Sequence, residues 1–272
     1  MAQETERRRS LSEHFKGVST DAYSSRWNSC YTEEFTPWDR GGPSPALYDL
    51  LKGKPELFAF PSEEVRKTAL VPGCGRGYDV LLLSSFGFDV IGLDLSPAAQ
   101  EEAKKIAENA AAKGLGELQG NRRGSVTWIL GDFFKDDWLR EANVPGDKFD
   151  LIFDYTFFCA LHPSFRPAWA KRHASLLAPD SRLVCLEFPS EKDVTAPGPP
   201  WPSPPHAYLA YLSRPGEKVP TDEHHGVIQN ENMPARDGGL KRLLHAKPER
   251  THEAGTEDGR VQDCISVWSH GG

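Results

Sequence analysis

The chain of 272 residues has no C-x-x-C pair, and its five cysteines are odd in number. That argues against a disulfide frame or a zinc site and for reduced thiols, so no metal and a cytoplasmic location are expected. It also lacks a basic excess. Lys and Arg number 32 against 39 Asp and Glu, and a net charge of −7 has the wrong sign for gripping a phosphate backbone. Nucleic acid is therefore not an expected partner. No run approaches the roughly 18 to 20 apolar residues of a membrane helix. Arg7, Arg8 and Arg9 lead into LSEHFKG, which is no hydrophobic signal core, so neither a membrane nor a secretory leader is expected. Apolar residues are sparse at 38%, yet sufficient for one core with a polar surface, and disorder is expected only towards the ends.

What is present divides by texture. Residues up to about 20 are charged and aperiodic, and read as a flexible lead-in that orders over a ligand. Tyr23, Trp27, Tyr31, Phe35 and Trp38 follow, too much aromatic surface for a linker. A spacing of four puts Trp27 and Tyr31 on one helix face, with Pro37 expected to end that helix before Trp38. The segment suits a helix packed on the core or a lid over a ligand. Residues 1–43 are accordingly read as flexible segment and lid, and 44–272 as one ligand-binding domain.

From Thr68 onward strands and helices alternate. TALVPG, FDVIGLDLS, SVTWILGDFF, KFDLIFDYTFFCAL and SRLVCLEFP read as strands, separated by YDVLLLSSFG, SPAAQEEAKKIAENAAAKG and PAWAKRHASLLAP as helices. Such alternation predicts an α/β, doubly wound parallel sheet with right-handed crossovers. Near the end, the apolar patch Leu240, Leu243 and Leu244 and the β-favouring CISVW read as two closing strands joined as a hairpin, the last antiparallel.

The chemistry lies at strand ends. Gly73, Gly75 and Gly77 form GxGxG between a strand and a helix, where backbone approaches a ligand or merely turns tightly. The spacing differs from the GxGxxG of a dinucleotide site. Asp94 ends the second strand, where a doubly wound fold places an acid on the ribose hydroxyls; the alternative is a cap for the following helix. Asp132 ends the third strand within reach of an adenine amino group, with Phe133 available to stack on the ring. Glycine loop and two acids together fit an adenosine ligand without phosphates.

WNSCYTEEFTPWDRGGPSPAL, LVPGCGRGYDV, VIGLDLS, GDFF and FDLIFDYTFFCAL resemble, in that order, the S-adenosylmethionine-dependent thiopurine methyltransferase family, especially its thiol and halide methyltransferase branch. The resemblance covers roughly residues 20 to 200. It implies a class I, Rossmann-like methyltransferase: seven strands with the last antiparallel, S-adenosyl-L-methionine as cofactor, and an N-terminal segment closing over it. It also implies Trp27 and Trp38 against the cofactor, with Tyr31 where plant members carry tryptophan. Gly73 and Gly75 would take the methionine end, Asp94 and Leu95 the ribose, Asp132 and Phe133 the adenine, and Tyr155 the region of the methyl group. Pro179, Asp180 and Ser181 replace the usual Pro-Gly-Gly turn.

The expected activity is S-methylation of a small thiol or thiolate-like anion, with halide as a further acceptor, by a monomer. A thiol with a pKa of about 8.5 is partly ionised near neutrality, so no strong base is needed. That agrees with the absence of a catalytic dyad in the sequence. Arg40 and Tyr155 are the catalytic candidates, and His162, Arg166 and Trp201 the acceptor-binding ones. Arg40 also reads as a surface ion pair, Arg166 as structural and His162 as a solvated loop residue. Trp201, with His206 and Tyr208, is expected on a stiff Pro-rich loop over the ends of strands four and five, or as a plug at the sheet edge. Cys30 reads as the most exposed cysteine and Cys159, Cys185 and Cys264 as packing, while His224 and His225 read as a surface loop and not a metal site. Three rivals remain. A non-catalytic adenosine-binding regulator would not need the aromatic lid, and a methyltransferase of macromolecules would show a basic face. The closest is a small-molecule O- or N-methyltransferase of secondary metabolism, which would need an insistent base or a metal.

Overall fold

A computed structural model describes residues 11–62, 64–112, 123–228 and 236–271. Among the described residues nine strands form, the sheet core where apolar, β-favouring runs lie between turn residues. They are β1 (Thr68–Pro72), β2 (Asp89–Asp94), β3 (Val126–Leu130), β4 (Phe149–Tyr155), β5 (Leu177–Glu187), β6 (Leu240–Ala246), β7 (Thr256–Glu257), β8 (Arg260–Val261) and β9 (Cys264–His270). Seven make one sheet in the order β3-β2-β1-β4-β5-β9-β6, and β7 and β8 form a separate hairpin. β1 runs parallel to β2 and β4, and β2 parallel to β3. β9 runs antiparallel to both β5 and β6, as expected of the last strand. The strand order reverses after β1, the topology in which open sheets bind ligands at strand carboxyl ends.

By its internal contacts the chain divides into two compact units, Val18–Phe153 and Met1–Gly17 with Asp154–Gly272.

In the first unit, Leu70, Val80, Leu83, Val90, Leu93 and Ile129 are buried together with the faces of β1 to β3. Trp128 of β3 explains two glycines at once. A Cβ on Gly77 would come within 2.3 Å of its ring and one on Gly92 within 2.7 Å, so the indole lies directly on backbone. Two helices of this unit begin with side-chain caps: Ser44 Oγ accepts from Leu47 N at 3.2 Å before the helix Pro45–Gly53. Ser96 Oγ likewise accepts from Ala99 N at 3.1 Å before the helix Pro97–Ala112. The cap is thus Ser96, which leaves Asp94 for other work.

In the second unit, the helices Arg166–Leu176 and Pro205–Leu212 accompany β5, β9 and β6. Leu11 and Phe15 are buried, at 4% and 3% exposure. The described part of the expected loose lead-in is therefore packed, because a spacing of four on a short helical stretch aligns its two apolar residues. Tyr208 also departs from expectation. Pro205 starts a helix instead of continuing the loop, and Tyr208 is buried with its ring 4.3 Å from Phe158 and 5.9 Å from Trp169.

Pro179, Asp180 and Ser181 lie within β5 and not in a turn, and there Asp180 adopts a left-handed backbone with φ +59°, the conformation that glycine takes most readily. Asp180→Gly is expected to raise stability by up to about 1 kcal/mol, a gain of about 2–4 °C in Tm. A thermal melt showing no gain would mean that the aspartate side chain compensates the strain.

Candidate functional site

Within the first unit, β1 delivers the loop Gly73–Gly77, and β2 delivers Asp94 beside it. Gly73, Gly75 and Gly77 take φ values of +59°, +52° and +73°, so the tight turn itself calls for glycine. Gly75 N donates to Asp94 Oδ2 at 2.8 Å, and Ser96 N donates to Oδ1 at 2.9 Å. The carboxylate is thus held by backbone donors on both oxygens, with the Leu95 N–H as a third. A carboxylate offers about four acceptor positions, so capacity remains for a ribose hydroxyl. Burial raises the pKa of Asp94, and these N–H groups oppose the rise. Leu95 beside it is 43% exposed, a large apolar side chain at the rim of the same turn. Acid capacity and exposed apolar surface beside a glycine turn fit an adenosine-bearing cofactor.

The aromatic segment packs onto this loop. The helix Tyr23–Thr32 carries Trp27 and Tyr31 as expected, but it ends five residues before Pro37, and Glu34 reverses the chain with φ +56°. Trp38 thereby returns to the helix: its ring lies 5.1 Å from Trp27 and 5.5 Å from Tyr31, and its Nε1 donates to the Tyr31 hydroxyl at 3.4 Å. That hydroxyl stands 2.7 Å from where a Gly75 Cβ would be. Tyr31 therefore occupies the space that Gly75 leaves, and burial pushes its phenol pKa upward. Arg76 in the glycine loop pairs with Asp39, and its Nε donates to Glu102 at 2.6 Å. The ion pair next to Trp38 thus runs through Asp39, and Arg40 lies half-buried beside it. Asp79 accepts from Ser44 N at 2.7 Å, and burial lifts its carboxyl to about 7.

Asp132 and Phe133 follow β3. Asp132 Oδ1 accepts from Phe134 N at 3.0 Å, an aspartate turn, while Lys135 Nζ lies 3.8 Å from Oδ2. Phe133 is buried and meets Phe134 edge-on at 5.4 Å. Of the two rings Phe134 is the more accessible, a distinction that the string GDFF does not contain. Cys30 is 0% exposed, which corrects the expectation of an accessible thiol: it faces inward from the aromatic helix.

The second unit begins at Asp154, and the next residue is Tyr155. Asp154 is 1% exposed and gathers three donors: Phe158 N at 3.1 Å, Trp169 Nε1 at 2.7 Å and His173 Nε2 at 3.3 Å. These fix the turn after β4, in which Thr156 takes φ +63°. Tyr155 stacks on His252 with centroids 6.0 Å apart and planes 7° from parallel, and meets Phe188 edge-on. His252 escaped sequence reading because it lies almost a hundred residues downstream in a segment without recognisable motif.

Arg166 is 2% exposed, lies over the Phe158 ring at 4.6 Å, and donates from Nη2 to Pro202 O at 2.7 Å. No described carboxylate lies within ion-pair distance of it. Trp201 is anchored by its N–H to Cys159 O at 2.7 Å. Its ring is 5.1 Å from His162 and 6.4 Å from His225, which are 5.4 Å from each other. His225, expected as a bland loop residue, thus belongs to an aromatic cluster, while His224 stays 48% exposed beside Glu223. His162 Nδ1 accepts from Ser164 N at 3.3 Å, which leaves the ring proton on Nε2. Burial, then His225 and Arg166, lower its pKa, so the ring is neutral at pH 7.

A parallel sheet closed by one reversed strand, with a glycine loop tethered to an acid on the next strand, defines a class I S-adenosylmethionine-dependent methyltransferase. Solved structures agree on the fold. A magnesium protoporphyrin IX methyltransferase of Synechocystis, with bound S-adenosylhomocysteine, superposes with a TM-score of 0.55 at 14% identity over 92% of this chain and 98% of that one. An N-methyltransferase of Bradyrhizobium japonicum gives 0.54 at 12% identity over 90% and 98%. The Thiopurine S-methyltransferase family profile matches residues 22–246, and the chain belongs to that family. It is an enzyme that uses S-adenosylmethionine for S-methylation. A probable thiol methyltransferase 2 of Arabidopsis thaliana is 38% identical over 69% of this chain and 71% of its own length. A thiocyanate methyltransferase 1 of the same plant is 38% identical over 63% and 64%, and a thiopurine S-methyltransferase of Pseudomonas paraeruginosa 30% over 44% and 54%. Among the described residues no helix is long and apolar enough to cross a membrane.

Proposed function

We propose that the acceptor is a small thiol taken as its thiolate and that the protein acts as a monomer in a reducing cytoplasm, a location supported by its five cysteines, none of which is in a disulfide. The cofactor supplies an electrophilic methyl group on a sulfonium. For holding it the reading assigns Asp94 and Leu95 to the ribose, Asp132 with Phe133 to the adenine end, and Gly73 and Gly75 to the methionine end. Trp27, Tyr31, Trp38 and Tyr155 present aromatic faces, which attract a sulfonium by about 0.5–2 kcal/mol. Arg40 follows Trp38 at the edge of that aromatic group and adds positive charge.

The observation that carries the acceptor class is the buried guanidinium of Arg166. Arginine keeps its proton in proteins, and a buried charge without a counter-ion is costly until an anion shares its field. Such a site favours a thiolate over the neutral thiol without any base. His162, neutral with its proton on Nε2, and the Trp201 indole shape the same acceptor cluster. Aromatic walls around a fixed positive charge exclude water and align a soft anion, which is what in-line displacement demands.

The test is turnover by pure protein with labelled methyl donor against thiols, thiocyanate, iodide, phenols and amines across pH. The rate should rise as pH approaches each thiol's own pKa, because the reactive fraction then grows. Arg166→Gln should lower kcat/KM for thiols about 10- to 100-fold, with cofactor affinity within about threefold. Trp201→Ala should change the acceptor ranking. A profile fixed by one enzyme group near neutrality, whatever the acceptor, would point instead to a protein base and to O- or N-methylation.

A further inference from the structure

We infer that Glu187, His245 and Cys264 form a binding site for a borderline transition-metal dication of the zinc type. They are, among the described residues, the one group of three His, Cys, Asp or Glu side chains whose ligand atoms all lie within 4.8 Å of one another. Backbone register alone puts them on one face. Glu187 ends β5 and is the direct partner of Cys264 on β9, while His245 on β6 is the direct partner of Ser266, two residues beyond Cys264. Paired residues share a face, and so do residues two apart on a strand. The adjacent strands β5, β9 and β6 therefore contribute one ligand each.

The donors suit such an ion. Carboxylate, imidazole and thiolate together make a mixed O, N, S set that prefers zinc or its neighbours to magnesium or calcium. Charges balance too, since a dication with one carboxylate and one thiolate is neutral, which a buried site requires. Glu187 is 0% and Cys264 6% exposed, whereas the His245 side chain is 30% exposed and leaves an approach from solvent. A supporting shell is in place: Ser266 Oγ donates to Glu187 Oε1 at 2.6 Å, and Trp268 Nε1 donates to Ser266 Oγ at 2.8 Å. Oriented carboxylates of this kind are what metal ligands need. His245 Nε2 already stands 3.1 Å from Glu187 Oε2, close to the separation of two ligands on one tetrahedral ion. This reading is independent of the acceptor proposed above.

Binding replaces the Cys264 thiol proton by the metal–sulfur bond and releases that proton to solvent, with no change of oxidation state. Burial and Glu187 hold the thiol up at about 11, and burial lifts Glu187 to about 7 against the Ser266 hydrogen bond and the charge of Arg242. Lys247, Glu191 and Asp263 also act on Cys264. Affinity should rise with pH, because the ligand thiol must give up its proton on binding.

The experiment uses the full chain, stripped by chelator and titrated with zinc chloride against a chromophoric chelator, then with cobalt chloride followed by absorption. One equivalent of zinc at micromolar affinity or tighter is expected. Cobalt should give a thiolate charge-transfer band that disappears in Cys264→Ser. Cys264→Ser and His245→Ala should each weaken zinc by more than the 10- to 100-fold lost with a supporting contact. His245→Ala changes an accessible side chain and carries the test if Cys264→Ser does not fold. No stoichiometric zinc, or zinc bound equally well by His245→Ala or by folded Cys264→Ser, would leave Glu187 and His245 as a hydrogen-bonded pair and overturn the site.

Discussion

Asp94→Ala is expected to weaken S-adenosylmethionine binding by about 2–3 kcal/mol, roughly 30- to 150-fold in Kd, measured by calorimetry. The loss has two parts. The ribose would lose a charged acceptor, and the Gly75 and Ser96 N–H groups that now bind the carboxylate at 2.8 and 2.9 Å would lose theirs. The second part loosens the glycine loop at Gly75, one of its three left-handed residues. Thermal stability should fall by much less than binding, since water can reach the half-buried turn. Unchanged affinity would remove Asp94 from the cofactor site.

Asp154→Ala is expected to cost about 3–5 kcal/mol of folding free energy, lowering Tm by about 6–20 °C. The carboxylate is 1% exposed, and its removal strands Phe158 N, Trp169 Nε1 and His173 Nε2 in a dry interior. Each orphaned donor costs about 1–3 kcal/mol. Denaturant unfolding should show the midpoint falling at constant slope, as for a native-state loss. Trp169→Phe, which removes one donor and keeps the ring, should cost much less. An equal cost for both would place the effect in ring packing and not in the carboxylate. Because Tyr155 adjoins Asp154, the alanine variant should also lose turnover at temperatures where it remains folded.

The glycine loop, the acid after β2 and the aromatic helix were legible because each depends on residues near one another in the chain. A φ above zero calls for glycine locally, an acid at a strand end follows from topology, and Trp27 and Tyr31 align by helical period. The exposure of Cys30 was misjudged because a helix face shows its inward side only against the core it covers. The end of its helix was misplaced because Glu34, and not Pro37, turns the chain. Tyr208 was placed on the loop because Pro205 can stiffen an extended segment or start a helix, and only the packing of Phe158 and Trp169 decides.

By itself the sequence determined the class of fold, the place of the glycine turn and the resemblance that implies methyl transfer, since all three rest on periodicity and local backbone demands. Tertiary structure alone decided which distant side chains meet: His252 on Tyr155, His225 beside His162 and Trp201, and Arg166 buried without a described carboxylate. The same holds for Glu187, His245 and Cys264, which have no motif spacing and converge only because β9 pairs with β5 on one side and β6 on the other. Strand register is set by burial of whole faces, a property of the assembled sheet that no single segment carries.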